Sequence, residues 1–160
     1  MVEIDDFKKF EIFNVFSENQ LAELSKITEK KTFKKGHQIY KEDDRANRFY
    51  LVVDGQISLN KIDPGEQIGI SFEKRERGGL FGAACFMEPQ KYTLNALCLK
   101  DSEVMSIDAD KLFKRFQTDP DMGYKFMKEV AKIYFDRYKV AKRQIHAMVK
   151  APTIITAQPG

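Results

Sequence analysis

FYLVVDGQISL, residues 49–59, and LFGAACFMEPQKYTLNA, residues 80–96, are the two stretches that decide the fold of this 160-residue chain. The first carries an apolar run into Asp54-Gly55, a turn pair in which glycine accepts a positive φ. The second places Gly-Ala-Ala after two apolar residues and becomes β-rich again from Tyr92. Both stretches predict short strands separated by tight turns.

Other short runs, bounded by Gly, Pro, Asp or Asn, also have the composition of strands. The predicted strands are residues 32–34, 38–41, 49–53, 56–61, 69–74, 92–99 and 103–107. Helical segments flank this block and do not alternate with the strands. The sequence therefore predicts a mainly β fold, an antiparallel sandwich or roll, and not a parallel sheet.

Capping signals mark the helices. Residues up to about 28 have a helical pattern, and Ser17 with Gln20 has the spacing of a capping box. Asp108 can cap a short helix, and Asp119-Pro120 can open another as N-cap and first-turn proline. That last helix could extend to about residue 150, roughly 30 residues and 45 Å at 1.5 Å per residue. A small roll cannot cover a helix of this length, so part of it should be left for a partner.

The two opening stretches resemble the cyclic-nucleotide-binding domain family, whose members include the catabolite activator and the fumarate-nitrate regulator. The resemblance covers residues 10–150 and implies an antiparallel β-roll with a long C-terminal dimer helix. In that family a glutamate holds the ribose and an arginine pairs with the cyclic phosphate. Here those two positions are Ala83 and Tyr92. The resemblance therefore implies a scaffold that lacks its two defining polar contacts.

The same resemblance implies where a cyclic nucleotide or another small anion would bind. The implied binding residues are Phe81, Gly82, Ala83, Ala84, Tyr92, Thr93, Arg137 and Tyr138. Small residues would let backbone N–H groups approach an anion. A filled turn with Cys85, Phe86 and Met87 in the core is the alternative, and Tyr92 could fill the phosphate space with its ring. Arg137 could supply the missing charge, or lie at a helix rim.

The C-terminal helix carries apolar residues at steps of three or four, the period of a coiled-coil seam. The predicted homodimer seam is Met127, Val130, Tyr134, Tyr138, Ala141, Ile145 and Met148. A second stripe at seven-residue spacing, Phe126, Ile133 and Val140, should face the chain's own roll.

Composition limits the other functions. The net charge of +3 is too mild to imply nucleic acid or an anionic membrane. The N-terminus is not a secretory signal and no apolar run spans a bilayer, so we expect a cytoplasmic protein. Cys85 and Cys98 should be reduced. His37 and His146 show no ligand spacing, and we expect neither a metal site nor catalysis.

We divide the chain into residues 1–118, the helices and β-roll, residues 119–150, the dimer helix, and residues 151–160, a tail. The tail cannot form a winged helix-turn-helix, so sequence-specific DNA binding by this chain alone is not expected. The leading hypothesis is a dimeric sensor or regulatory domain with a degenerate nucleotide site and a protein partner. The alternatives are cyclic-nucleotide binding through substituted contacts, a structural dimerisation module, and a transcription regulator cut short of its winged helix.

Overall fold

A computed structural model describes residues 2–67 and 69–149 of the chain. The strands are β1 (Thr28–Phe33), β2 (Gln38–Tyr40), β3 (Arg48–Asp54), β4 (Ile57–Lys61), β5 (Ile70–Arg75), β6 (Leu80–Phe81), β7 (Asn95–Cys98) and β8 (Ser102–Asp108). The α-helices are α1 (Ile4–Phe7), α2 (Glu18–Ser25), α3 (Ala109–Thr118) and α4 (Pro120–Met148). Short 3₁₀ helices span Glu11–Val15 and Ala83–Phe86. The predicted tail, residues 151–160, lies outside the described residues.

The strands form two antiparallel sheets that enclose one apolar core. One sheet has the order β1-β8-β3-β6 and the other β2-β7-β4-β5. The turn between β3 and β4 requires Gly55, which has φ 109° and lies so close to Ser102 that a Cβ would be 2.2 Å from the Ser102 hydroxyl oxygen. The predicted mainly β class, an antiparallel roll with flanking helices, is confirmed.

Helix starts are also as predicted. The Ser17 hydroxyl accepts from the Gln20 amide at 3.2 Å, and the Gln20 side chain accepts from the Ser17 amide at 3.1 Å. Asp108 caps α3 and Asp119 caps α4 through side-chain bonds to backbone amides. Each cap satisfies an N–H group that the first helical turn leaves unpaired.

The structure corrects the bounds of two predicted strands and adds one that was not predicted. The helical pattern ends at Ser25, and β1 begins at Thr28 because the whole segment through Phe33 pairs with β8. The two-residue strand β6 was not predicted, and it pairs only with Tyr50 and Leu51. The strand expected from residue 92 begins at Asn95. The Tyr92 backbone instead bonds to the loop at Asp43 and Asp44.

Helix α4 packs on the roll as far as Tyr134 and Arg137, and its described residues from Tyr138 onward are exposed. Phe126 is fully buried and its ring meets Phe49 edge-on, with the ring centroids 5.8 Å apart. Ile133 packs on the same core, but Val140 is 46% exposed, so the predicted inward stripe ends before Val140. None of the helices in the described residues has the length and apolarity to cross a bilayer.

The predicted dimer seam is split by this packing. Val130 is buried and Tyr134 packs against the chain's own core, so the assignment of these two residues to a partner interface is corrected. The apolar residues that α4 leaves exposed are Tyr124, Met127, Phe135, Tyr138, Val140, Ile145 and Met148. Phe135, which the sequence prediction omitted, is 59% exposed.

Candidate functional site

A cavity of about 600 Å³ lies between the roll, the 3₁₀ helix Ala83–Phe86 and α4. Tyr40 from β2, Leu59 from β4, Arg75 from β5 and Tyr134 from α4 form part of its wall. The segment from Met87 to Leu94 also contributes to the lining. A volume of this size suits a small organic ligand.

Tyr92 occupies the wall of this cavity with a fixed, buried ring. Its ring stacks on Tyr40 with centroids 3.6 Å apart and an interplanar angle of 8°. Its hydroxyl donates to the Arg48 carbonyl at 2.8 Å and accepts from the Arg48 amide at 3.2 Å. The side chain is only 4% exposed, and burial raises the pKa of Tyr92, so the phenol stays neutral. Tyr92 therefore carries no positive charge that could pair with an anion.

Gly82 is required by the close approach of three elements beside Tyr92. Its φ is 85°, and a Cβ on it would lie 2.9 Å from the Arg48 carbonyl oxygen and 3.5 Å from a Tyr92 ring carbon. Only glycine accepts both the backbone conformation and the contact. The following residues, Ala83 and Ala84, are partly buried and line the cavity.

Arg75 is the buried cation of the cavity wall, and protein groups already engage it. Its side chain is 8% exposed. The Nε group donates to the Leu80 carbonyl at 2.9 Å, one Nη group donates to the Lys74 carbonyl at 3.3 Å, and the other pairs with Glu73. An anionic ligand at Arg75 would have to compete with the Glu73 carboxylate.

The cavity carries more carboxylates than cations. Glu42, Asp43, Glu73 and Glu88 line it, against Arg75 and Lys91. Because like charges repel in a confined site, this balance disfavours a phosphate.

Several residues implied by the resemblance lie elsewhere. The Phe81 ring is fully buried and stacks on Tyr50 in the core, and it does not line the cavity. Tyr138 is 56% exposed and its ring lies near Phe135. Arg137 donates to the Leu80 carbonyl at 3.2 Å and lines a different cleft. Thr93 is exposed at the cavity wall.

The filled-turn alternative is correct in part. Cys85 is 1% exposed and Phe86 meets Phe49 edge-on at 5.1 Å, but Met87 is 63% exposed and is not core. Burial raises the pKa of Cys85 to about 12, so its thiol is not a nucleophile at neutral pH. His37 stacks on Phe33, with centroids 4.7 Å apart. Within residues 2–67 and 69–149, no three His, Cys, Asp or Glu side chains gather as a metal site would need.

The family model for the cyclic nucleotide-binding domain matches residues 30–119, which contain the strands, Gly82 and Tyr92. This chain belongs to the cyclic nucleotide-binding domain family. The match includes most of the cavity wall and ends at Asp119, one residue before the start of α4. Tyr134 and Arg137 therefore lie outside the residues that the family model matches.

Among curated proteins, this family domain is 20% identical over 121 residues to the CRP-like cAMP-activated global transcriptional regulator of Mycobacterium tuberculosis, covering 76% of this chain and 54% of that protein. It is 28% identical over 107 residues to the anaerobic regulatory protein of Bacillus subtilis, covering 66% of this chain and 44% of that protein. The chain thus spans about half the length of these relatives.

Two solved structures show the same fold. A cyclic nucleotide-binding domain from Methylobacillus flagellatus aligns with a TM-score of 0.77 at 15% identity, covering 94% of this chain and 84% of that one. The sensor domain of the transcriptional regulator DNR from Pseudomonas aeruginosa aligns with a TM-score of 0.67 at 17% identity, covering 95% of each chain.

Sequence reasoning missed many of the cavity residues. Some, such as Glu88 and Lys91, lie within the motif stretches, whereas Tyr40, Arg75 and Tyr134 lie outside them. Tyr134 was assigned to the dimer seam, and only the packing of α4 on the roll shows that it lines the cavity. Tyr40 and Arg75 gave no sequence signal, because only the antiparallel sheet order brings β2 and β5 to the same cavity.

Proposed function

We propose that this domain is a regulatory or sensor module that does not bind cyclic AMP or cyclic GMP through the family's usual contacts. The observation that carries the proposal is the fixed Tyr92 ring, anchored at both Arg48 backbone groups where the family places its phosphate-binding arginine. A phenol cannot reproduce the bidentate pairing of a guanidinium with phosphate. Ala83 likewise provides no carboxylate for a ribose.

Each lost charge-assisted contact should weaken binding by about 1.5–3 kcal/mol, so the two together lower affinity by about a hundredfold to ten-thousandfold. Isothermal titration calorimetry with cyclic AMP and cyclic GMP tests this. We expect no binding tighter than millimolar to the wild-type chain. Micromolar binding would overturn the proposal.

The paired substitution Ala83→Glu with Tyr92→Arg is the gain-of-function test. Tyr40 offers a flat ring 3.6 Å from the present Tyr92 centroid, on which a guanidinium can stack. We expect the double variant to bind cyclic nucleotide more tightly than wild type, while Ala83→Ser with Tyr92→Phe should not. Equal affinity in all proteins would mean that the cavity cannot accept the ligand.

We propose further that the domain dimerises through the exposed part of α4. Phe135, Tyr138 and Ile145 are 59%, 56% and 61% exposed, and they follow one another at steps of three and seven along the helix. Such spacing places them on one face. An apolar stripe on a helix that projects beyond the roll is typical of an association surface.

Sedimentation of two variants tests this surface. Ile145→Glu places a charge in the proposed seam and should convert a dimer into a folded monomer, because burying an unpaired charge costs several kcal/mol. Phe126→Glu should instead unfold the domain, since Phe126 is fully buried in the chain's own core. A monomeric wild type at high concentration, or a dimeric Ile145→Glu variant, would contradict the proposal.

We infer that the module acts by binding and relaying, not by catalysis. Regulators and binding domains among its relatives support this. The raised pKa of Cys85, caused by burial, also keeps that thiol unreactive.

A further inference from the structure

A second cleft, of about 570 Å³, lies between β5 and the middle of α4. Phe72, Lys74 and Arg75 line it from the strand, and Arg137, Val140 and Gln144 line it from the helix. It meets the cavity described above only at Glu73 and Arg75, which border both.

Two guanidinium groups converge at the inner end of this cleft. Arg75 Nε and Arg137 Nη2 both donate to the Leu80 carbonyl, at 2.9 and 3.2 Å. Glu73 is the carboxylate that pairs with Arg75. Asp136 also borders the cleft, but it forms its ion pair with Lys139 at 3.2 Å. Among the described residues, Arg137 therefore has no carboxylate partner of its own within ion-pair distance, and its nearest compensation is Glu73, which Arg75 already engages.

The Arg137 side chain is half-buried and incompletely bonded. Its Nη1 group is buried and has no hydrogen-bond partner among the described residues, and its guanidinium lies over the Tyr134 ring at 4.7 Å. Burial and the charge of Arg75 lower the pKa of Arg137. A buried unpaired donor and two adjacent cations are both unfavourable. A bound oxyanion would relieve both, because guanidinium and oxyanion form strong paired hydrogen bonds.

The outer part of the same cleft is apolar. Phe72 and Val140 are 57% and 46% exposed and stand on opposite walls, one on the strand and one on the helix. Exposed apolar side chains beside a cationic end match an amphipathic ligand with one acidic group. We infer that this cleft binds the carboxylate or phosphate group of a small molecule between Arg75 and Arg137, with the apolar body of that molecule lying between Phe72 and Val140.

Such a ligand would tie the edge strand β5 to α4, the helix that carries the exposed apolar stripe. Rotation about the last side-chain bonds of Arg137 would turn its unpaired N–H toward the cleft. The ligand would then fix the helix relative to the roll, which is the kind of coupling that a sensor domain needs.

Heteronuclear NMR titration of the full chain with phenyl phosphate, hexanoate and inorganic phosphate, at constant ionic strength, tests the site. We expect phenyl phosphate or hexanoate to shift the amide signals of Phe72, Val140 and Gln144 in a saturable way. Inorganic phosphate should bind at least about tenfold more weakly, since it lacks the apolar body.

Three variants are expected to give three different results. Arg137→Gln should weaken binding of the tighter-binding probe by about tenfold or more. Glu73→Gln removes the competing carboxylate and should tighten binding of the same probe. Lys128→Gln, an exposed cation on the same helix away from the cleft, should leave affinity unchanged.

Failure of all probes to saturate, equal affinity of the Arg137→Gln and wild-type chains, or an equal loss in Lys128→Gln would overturn the inference. Weaker probe binding by Glu73→Gln than by wild type would also overturn the inference. This comparison can still be made if Arg137→Gln fails to fold. Shifts confined to residues 82–84 would assign the probe to the first cavity and refute the second site.

Discussion

Tyr92→Phe removes one oxygen atom from the cavity wall and leaves the ring in place. The lost hydroxyl holds both the amide and the carbonyl of Arg48, at 3.2 and 2.8 Å, at the first residue of β3. Both bonds are part-buried, so water replaces them poorly. Leaving a buried donor or acceptor unpaired costs about 1–3 kcal/mol. We expect the variant to lose about 2 kcal/mol of its free energy of unfolding.

Urea denaturation followed by circular dichroism measures this loss. For a domain of this size, about 2 kcal/mol lowers Tm by about 4–8 °C. Tyr138→Phe is the matched control, because its hydroxyl belongs to a side chain that is 56% exposed. The control should change stability by less than about 0.5 kcal/mol. An equally small change in Tyr92→Phe would refute the argument that the hydroxyl anchors the ring.

Two further predictions concern the backbone and pH. Gly82→Ala should destabilise the domain more than Gly36→Ala. Both glycines have φ near 85°, a conformation that costs alanine about 1–2 kcal/mol. Of the two, only Gly82 is so placed that an added Cβ would lie within 3 Å of a backbone atom. Similar urea midpoints for the two variants would refute the close approach. Asp6 has its pKa lowered to about 2, chiefly by the hydrogen bond from the Glu3 amide and also by Lys9 and Lys30. The ionised Asp6 carboxylate therefore stabilises the fold at neutral pH, and this contribution is lost as pH falls through about 2. The difference in free energy of unfolding between wild type and Asp6→Asn should narrow between pH 4 and pH 2. A constant difference would contradict this assignment.

Local chemistry explains which parts of the fold the sequence could predict. The helix starts at Ser17, Asp108 and Asp119 were predictable because a cap involves residues three apart in the chain. The turn at Asp54-Gly55 was predictable for the same reason. The motif stretch also pointed to Ala83 and Tyr92, and both line the cavity.

Tertiary packing explains what could not be predicted. The strand β6 consists of two residues, too few for an alternating pattern, and it exists because Leu51 and Tyr50 offer unpaired backbone groups beside it. The orientation of Tyr134 toward the core also depends on packing. A repeat of about 3.5 residues marks two neighbouring apolar stripes on the helix, but it does not determine which stripe faces the roll. Phe135 was missed for that reason.

Tyr92 is a structural part of the cavity wall. The hydroxyl of Tyr92 reaches the backbone of β3, and its ring stacks on Tyr40. Tyr92→Arg alone would remove the hydroxyl bonds to β3 and place a new charge in a cavity that Asp43 and Glu88 also line. Those carboxylates would attract the new cation and hold it away from a phosphate. Tyr92→Arg alone should therefore raise the affinity for cyclic nucleotide less than the double substitution does. Ala83→Glu adds the ribose contact, although it does not relieve the competition for the new arginine.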